Sequence, residues 1–342
     1  MILPSLFNPS NDMALAANVR EYVPPKRIQQ MEDDLSALAQ VWEGTRFAGP
    51  WGWSMATKRR FERMGIPSAE LPADGWLQEV RRLSSREFAC GYIKGLLHEV
   101  SDDRLLGQDM AFVDSAALSV SDKIPQSVSD KIPLSVSDKF PLSIFAEKAH
   151  ADAAPLIFKS PWSSSGRGVF VAEKYDGQTM ARLQGFMHTQ GGFLVDRFYA
   201  NKTLDFAMEF FINPDHSVDF LGYSVFHAAT TGAYGFNFVE SQEELMQRID
   251  MDPSLLCQLI DYHTKRLSAI AYHGAVGIDM LKCADGHIHP CIEINLRMNM
   301  GILSLLLHQR YGSQCSIALT PSRLHGFQAV VEDGKLMILY KK

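Results

Sequence analysis

Three features of the sequence predict an α+β fold: its length, a helix-rich first third, and a later succession of strands and helices that never settles into a regular βαβ alternation. With 342 residues, at about 100 to 200 residues per domain, the chain holds two domains or one large composite fold. Hydrophobic residues make up 46% and charged residues 21%, the proportions of a globular protein with a sizeable core. Lys and Arg total 33 against 39 Asp and Glu, a formal net charge of -6. That balance argues against nucleic acid or an anionic membrane as partner.

The elements follow in chain order. Pro24-Pro25 with Ile28, Met31, Leu35, Leu38 and Trp42 at helical spacing predicts a helix opened by proline. Ser54 caps a second helix bearing Lys58, Phe61 and Met64, stopped by Gly65-Ile66-Pro67. A longer helix is expected from about Trp76 to Glu99. Pro155 to Lys159 and Val169 to Glu173 are expected strands around a Ser/Gly loop, Gln178 to Thr189 a helix, and Phe193 to Phe198 a strand. Leu204 to Ile212 and Ser217 to Phe226 read as a strand pair turning at Asn213-Pro214-Asp215. Asp252-Pro253 opens a helix with Leu255, Leu259, Tyr262, Leu267 and Ile270 on one side, ended by Gly274. Val276 to Cys283 and Ile288 to Asn295 then form a hairpin around Ala284-Asp285-Gly286.

Neither Met1 to Asn8 nor Gly301 to Leu307 approaches the ~20 apolar residues of a membrane span. The cysteines, Cys90, Cys257, Cys283, Cys291 and Cys315, are odd in number and contain no C-x-x-C pair. With no export signal either, the expected compartment is the cytoplasm. Residues 119–142 repeat S-V-S-D-K-[I/F]-P-[Q/L] three times in tandem, with prolines at 125, 133 and 141 that break any helix. The segment reads as an inserted surface loop, a low-complexity linker in preference to a lid.

Two segments carry chemistry. In Phe158-Lys159-Ser160-Pro161-Trp162-Ser163-Ser164-Ser165-Gly166-Arg167-Gly168-Val169, a lysine at a strand end precedes a flexible loop and another strand. Such a loop offers a positive charge, backbone N–H groups and hydroxyls to phosphate oxygens; an ordinary Ser/Gly hairpin turn is the alternative. No P-loop, no Rossmann G-x-G-x-x-G and no G-x-S-x-G occurs.

The second segment is the hairpin from Gly277 to Arg297. Asp279, Glu293 and Asn295 stand there among apolar residues, where unneutralised charge is costly. Oxygen ligands of this kind suit Mg²⁺. A solvated sheet edge is the alternative, weakened because Glu293 and Asn295, two apart, share a face. A three-residue loop at 284–286 pairs 283 with 287 and hence 279 with 291. Asp279 then lies diagonal to Glu293 on one face, provided no further bulge interrupts the strands. His287-Ile-His289 has no third ligand nearby, so a polar hairpin end is favoured over a metal site.

Together, Lys159 with Ser163-Ser-Ser-Gly-Arg-Gly168-Val, the strand Phe193-Leu-Val-Asp196-Arg197-Phe198, and Asp279 with Glu293-Ile-Asn295-Leu-Arg297 resemble the ATP-grasp superfamily in order and separation. The resemblance covers about residues 150 to 300, and the Lys58 helix before Gly65-Ile66-Pro67 is similar to a segment that often precedes it. It implies ATP held between two α+β subdomains, residues 76–195 and 196–342, after a pre-ATP-grasp-like region at 1–75. It also implies Lys159 on the α- or β-phosphate and Ser163, Ser164, Ser165, Gly166, Arg167 and Gly168 closing over the phosphates. Asp196, Arg197 and Phe198 would be a hinge touching adenine through backbone, and Asp279, Glu293 and Asn295 would hold Mg²⁺. Arg297 would steady the transferred phosphoryl group or the acyl-phosphate. The loop departs from the family in carrying Trp162 and many serines, and a second phosphate-binding cation is sought among Lys58, Arg86 and Lys94.

The function so implied is an ATP- and Mg²⁺-dependent ligase that activates a small-molecule or peptide carboxylate as an acyl-phosphate for attack by an amine. A phosphotransferase acting on a hydroxyl, and a non-catalytic ATP-binding protein, are the alternatives. Substrate and oligomeric state stay open.

Overall fold

The computed structural model describes residues 3–114, 155–163, 166, 168–172, 176–228, 234–312, 314–320, 327–333 and 336–341, with side chains up to 312. The octapeptide repeat at 119–142 lies outside the described residues. Five helices come first: α1 (Asn11–Ala17), α2 (Lys26–Asp34), α3 (Met55–Arg63), α4 (Asp74–Leu83) and α5 (Arg86–Val100). Two of the expected helices are divided. The Pro24 to Trp42 pattern breaks at Leu35 into α2 and a 3-10 segment, Ser36–Val41, a tighter coil that takes up helix-end carbonyls. The stretch around 76–99 breaks at Ser84-Ser85, because the Ser85 hydroxyl accepts from the Phe88 N–H and starts α5 afresh. Ser54 caps α3 as expected, accepting from the Thr57 N–H.

A small antiparallel sheet follows, from β1 (Ala111–Asp114), β2 (Leu156–Lys159), β3 (Val169–Ala172) and β4 (Gly192–Arg197), in the order β1-β4-β2-β3. Helix α6 (Gly177–Gln190) covers it, burying Met180 and Leu183 against Phe158, Phe170 and Phe193.

The second sheet contains β5 (Lys202–Ile212), β6 (Val218–Ala228), β7 (Tyr234–Val239), β8 (Gly274–Cys283), β9 (Ile288–Asn295), β10 (Gln314–Thr320), β11 (Phe327–Asp333) and β12 (Leu336–Lys341). Its order is β11-β12-β10-β7-β6-β5-β8-β9. Alternation along β5 gives the sheet two unlike faces. Phe206, Met208, Phe210 and Ile212 enter the main core, with α5 and two helices between β7 and β8, α7 (Gln242–Ile249) and α8 (Pro253–Leu267). Asp205, Ala207 and Glu209 face the other way. Helix α8 stops at Leu267, short of the expected Gly274, where the Ser268 hydroxyl donates to the Lys265 carbonyl; Gly274, at φ +124, instead starts β8.

The front face is shared. Helix α9 (Met300–Tyr311) and the N-terminal segment cover part of it, packing Phe7, Leu38, Trp42 and Trp51 with Val239, Ala275, Ile302 and Leu303. Among the described residues no helix is long and apolar enough to cross a membrane.

Candidate functional site

Between the small sheet and the open part of the front face lies a cleft of about 1390 Å³. Its upper wall starts at Lys159, the last residue of β2, paired in register with Val169 of β3. The loop between them is closed by the Ser160 N–H donating to the Gly168 carbonyl at 2.8 Å. Gly168 sits at φ +70, and a Cβ there would stand 2.3 Å from the Ser160 hydroxyl, so only glycine fits. Trp162 is an anchor: its indole N–H donates to the Arg81 carbonyl, its amide donates to Gln190, and the Arg81 guanidinium lies 3.8 Å from its ring centre. Ser163 and Gly168 are placed, and Gly166 lines the cleft; Ser164, Ser165 and Arg167 lie outside the described residues.

Arg86, the first residue of α5, is inserted under this loop. Its Nη1 donates to the Ser160 carbonyl at 2.6 Å and to the Ser163 hydroxyl at 2.8 Å, while its Nη2 donates to Glu293 at 2.8 Å. Of the three candidate upstream cations only Arg86 lines the cleft. Lys58 is paired with Asp74, and Lys94 is exposed on α5. Lys159 is 8% exposed. Burial pushes its ammonium below the usual lysine range, and Asp196 opposes that shift.

Asp196 and Arg197 close β4, so they are the end of a strand, and the connection to β5 begins at Phe198. The Phe198 N–H donates to the Pro155 carbonyl and is not free for a ligand. The Asp196 carboxylate meets the buried His289 imidazole at 3.0 Å, whereas His287 stands beside Asp285 on the exposed turn. The two histidines therefore do not act together.

The hairpin turns through the expected three-residue loop. The Cys283 N–H donates to the His287 carbonyl, and Gly286 adopts φ +84. The expectation of uninterrupted strands is corrected. Leu281 pairs with His289, yet Asp279 pairs with Glu293, so the one residue between them on β8, Met280, opposes three on β9, Pro290 to Ile292. The two extra residues fall within 290–292, a stretch that opens on Pro290, which has no N–H for the ladder. Because two residues are added, the faces are kept, and Asp279 stands directly opposite Glu293 instead of diagonal to it.

Burial, reinforced by Glu293 and Glu209, pushes the Asp279 carboxyl well above its ordinary range. Asn295 donates from Nδ2 to Asp279 at 3.0 Å and accepts at Oδ1 from Arg297 at 2.9 Å. Arg297 in turn donates to both oxygens of Asp12 on α1, Nε at 3.0 and 3.1 Å and Nη2 at 2.9 Å. Burial works against its charge but Asp12 outweighs it, leaving the pKa above the usual value.

Two facing carboxylates form a donor pair whose mutual repulsion a divalent cation would relieve, and oxygen ligands suit Mg²⁺; the Asn295 amide, which turns its nitrogen to Asp279 and its oxygen to Arg297, would have to rotate to join them. Among the described residues no cluster of three or more His, Cys, Asp or Glu could hold a metal, so the amide of Asn295 is needed to complete the set. Two groups were not legible beforehand. Glu209 lies beneath α9, accepting from Ser224 at 2.7 Å and from Asn299 at 2.8 Å. Asp12 stands 285 positions from its partner. Nothing in either local pattern signals these roles.

Two sheets closing on a cleft with a lysine on one wall and a carboxylate row on the other define the class: the chain has the ATP-grasp fold. In sequence it matches no family model and no curated protein. Among solved structures it is similar to the biotin carboxylase–β-γ-ATP complex from Campylobacter jejuni, with a TM-score of 0.50 and 13% identity over 99% of this chain and 87% of that one. It is also similar to the D-alanyl-alanine synthetase A of Vibrio cholerae (TM-score 0.41, 11% identity, 69% and 62% of the two chains). A third is the biotin carboxylase domain of the Hydrogenobacter thermophilus 2-oxoglutarate carboxylase (TM-score 0.38, 12%, 58% and 55%). The chain thus spans less than two thirds of two of these relatives.

Proposed function

We propose that the protein is an ATP- and Mg²⁺-dependent ligase that forms a carbon–nitrogen bond, activating a small-molecule or peptide carboxylate as an acyl-phosphate for attack by an amine or similar nucleophile. The observation that carries this reading is the convergence on one cleft of Lys159 and Arg86 from above with Asp279, Glu293, Asn295 and Arg297 from below. The nucleotide in the Campylobacter biotin carboxylase complex supports the choice of ATP.

When bound, Mg²⁺ would neutralise phosphate charge, held by Asp279, Glu293 and Asn295. The rest is positioning and preorganised charge, the main demand of phosphoryl transfer. Lys159, whose burial lowers its pKa, would hold an α- or β-phosphate oxygen. The 163–168 loop, its base fixed by Trp162, would close over the phosphates. The connection after Asp196 and Arg197, with Phe198, would border adenine. Arg297, held in one orientation by Asp12, would face the transferred group. In this reading residues 76–195 and 196–342 are the two gripping subdomains, with 1–75 preceding them.

Incubation of the purified protein with ATP, Mg²⁺ and a metabolite extract, followed by mass spectrometry, tests the proposal. ADP, free phosphate and a new amide are expected. A stable phosphate ester would make the protein a phosphotransferase instead, and binding of ATP with no ADP formed from any extract would make it a non-catalytic nucleotide binder.

A further inference from the structure

The guanidinium of Arg86 bridges two parts of the cleft that serve different ligands. Through Nη1 it touches the phosphate-side loop at Ser160 and Ser163, and through Nη2 it touches Glu293 of the carboxylate row. Its side chain is 5% exposed and that of Glu293 23%. The backbone beneath is fixed, since the Arg86 N–H donates to the Pro161 carbonyl and Ser85 caps the helix. Yet the guanidinium is incompletely matched: its Nε–H is buried with no acceptor among the described residues. A buried donor without an acceptor is uncommon in native proteins and calls for an explanation. The planar fork of arginine matches phosphate oxygens, which can take two parallel N–H bonds at once.

The charges make the same point. Asp279 and Glu293 face each other across one ladder position. Among the described residues the cation hydrogen-bonded to Glu293 is Arg86, which reaches one oxygen by one bond, while Lys159 and Arg297 act on it from farther off. A divalent cation between the two carboxylates would supply the same neutralisation more strongly and compete for that oxygen.

We propose, on the nucleotide reading given above, that Arg86 is the resident counter-ion of the cation site: it holds Glu293 while no divalent cation is bound, and when the cation takes Glu293 the released guanidinium turns to the nucleotide phosphates. Cation and nucleotide then tighten each other's binding through Arg86, and the coupling is reciprocal. A purely structural ion pair makes no such link.

The test is a Mn²⁺ titration of the full chain, followed by the free-ion electron paramagnetic resonance signal, with and without ADP. In the wild type ADP is expected to tighten Mn²⁺ by about 5- to 150-fold, the usual range of such coupling. Arg86→Ala is expected to move the two affinities in opposite directions. Mn²⁺ alone binds tighter because its competitor is gone, Mn²⁺–ADP binds about 10- to 150-fold weaker because a charge-assisted contact is lost, and the coupling shrinks toward one. Mn²⁺ affinity without ADP that is unchanged or weaker in a folded Arg86→Ala protein overturns the proposal. Should that variant not fold, Glu293→Gln decides. Freeing Arg86 from its partner must tighten metal-free ADP binding, and unchanged or weaker binding overturns the proposal equally. A wild type that binds neither Mn²⁺ nor ADP removes the nucleotide reading and this inference with it. A wild type that binds both, with variants that behave like it, removes this inference alone.

Discussion

Glu209 is 1% exposed, and burial pushes its carboxyl from 4.5 up to about 7, although the Asn299 amide and the Ser224 hydroxyl both donate to it. A carboxyl whose pKa is raised by folding binds its proton more tightly in the native state. Its contribution to stability is therefore complete below about pH 4.5 and is lost as pH rises through about 7. A shift of this size corresponds to on the order of 3 kcal/mol, and the raised Asp279 carboxyl acts in the same direction. Glu209→Gln keeps the shape and removes the titration, so its melting temperature should fall less than the wild type's between pH 5 and pH 8, as followed by circular dichroism. Parallel curves would show that another group governs the slope. Lys159 gives a second residue-scale expectation. Lys159→Met relieves a buried cation, so the melting temperature should hold or rise. Calorimetry should show ATP affinity falling by about 10- to 150-fold, the worth of one charge-assisted contact.

At the scale of elements, α1 matters more for what it holds than for what it buries, because its Asp12 fixes Arg297 by a two-oxygen grip. Asp12→Ala leaves a guanidinium that is only 15% exposed without its carboxylate, and breaking a buried pair costs up to about 3–5 kcal/mol. Urea unfolding should show that loss; a change under about 1 kcal/mol would mean that solvent replaces Asp12. The hairpin of β8 and β9 shows what local sequence can carry. Its turn was legible from Gly286, and the shared face of Asp279 and Glu293 followed from the three-residue loop. The bulge at Pro290 was not, although a proline inside a strand is itself a warning that the ladder shifts. The break between α4 and α5 was likewise written in Ser84-Ser85, but the apolar spacing runs on past it.

At the scale of the molecule, the α+β class and most strands around the cleft could be read from alternation and turn residues, and Lys159 and the carboxylate row from motif order. What could not be read was made by distant pairing. Strand β7 has a side chain, Asn237, whose burial depends on the neighbouring strands. Helix α9 is apolar on several sides because sheet and N-terminal segment both cover it. Helix α7, by contrast, announces itself with the capping box Ser241 to Glu244. The large core behind the cleft sets global stability, so Phe210→Ala should cost about 3–5 kcal/mol. A saturating nucleotide with Mg²⁺, at about 100 times its dissociation constant, should restore about 2.7 kcal/mol of that in a thermal melt. No protection of the variant by the nucleotide would show that the cleft depends on this core for its shape. The packing of Phe7, Trp42 and Trp51 against Ile302, Leu303 and Leu307 has a consequence for the life of the nascent chain. Helix α9 is made long after residues 7–51, so this part of their cover comes late. At about 5–20 residues per second, that delay is roughly 10–50 s. During it Phe7, Trp42 and Trp51 have one another and Leu38 for cover but lack the face of α9, so chaperones that bind apolar nascent segments should hold this one.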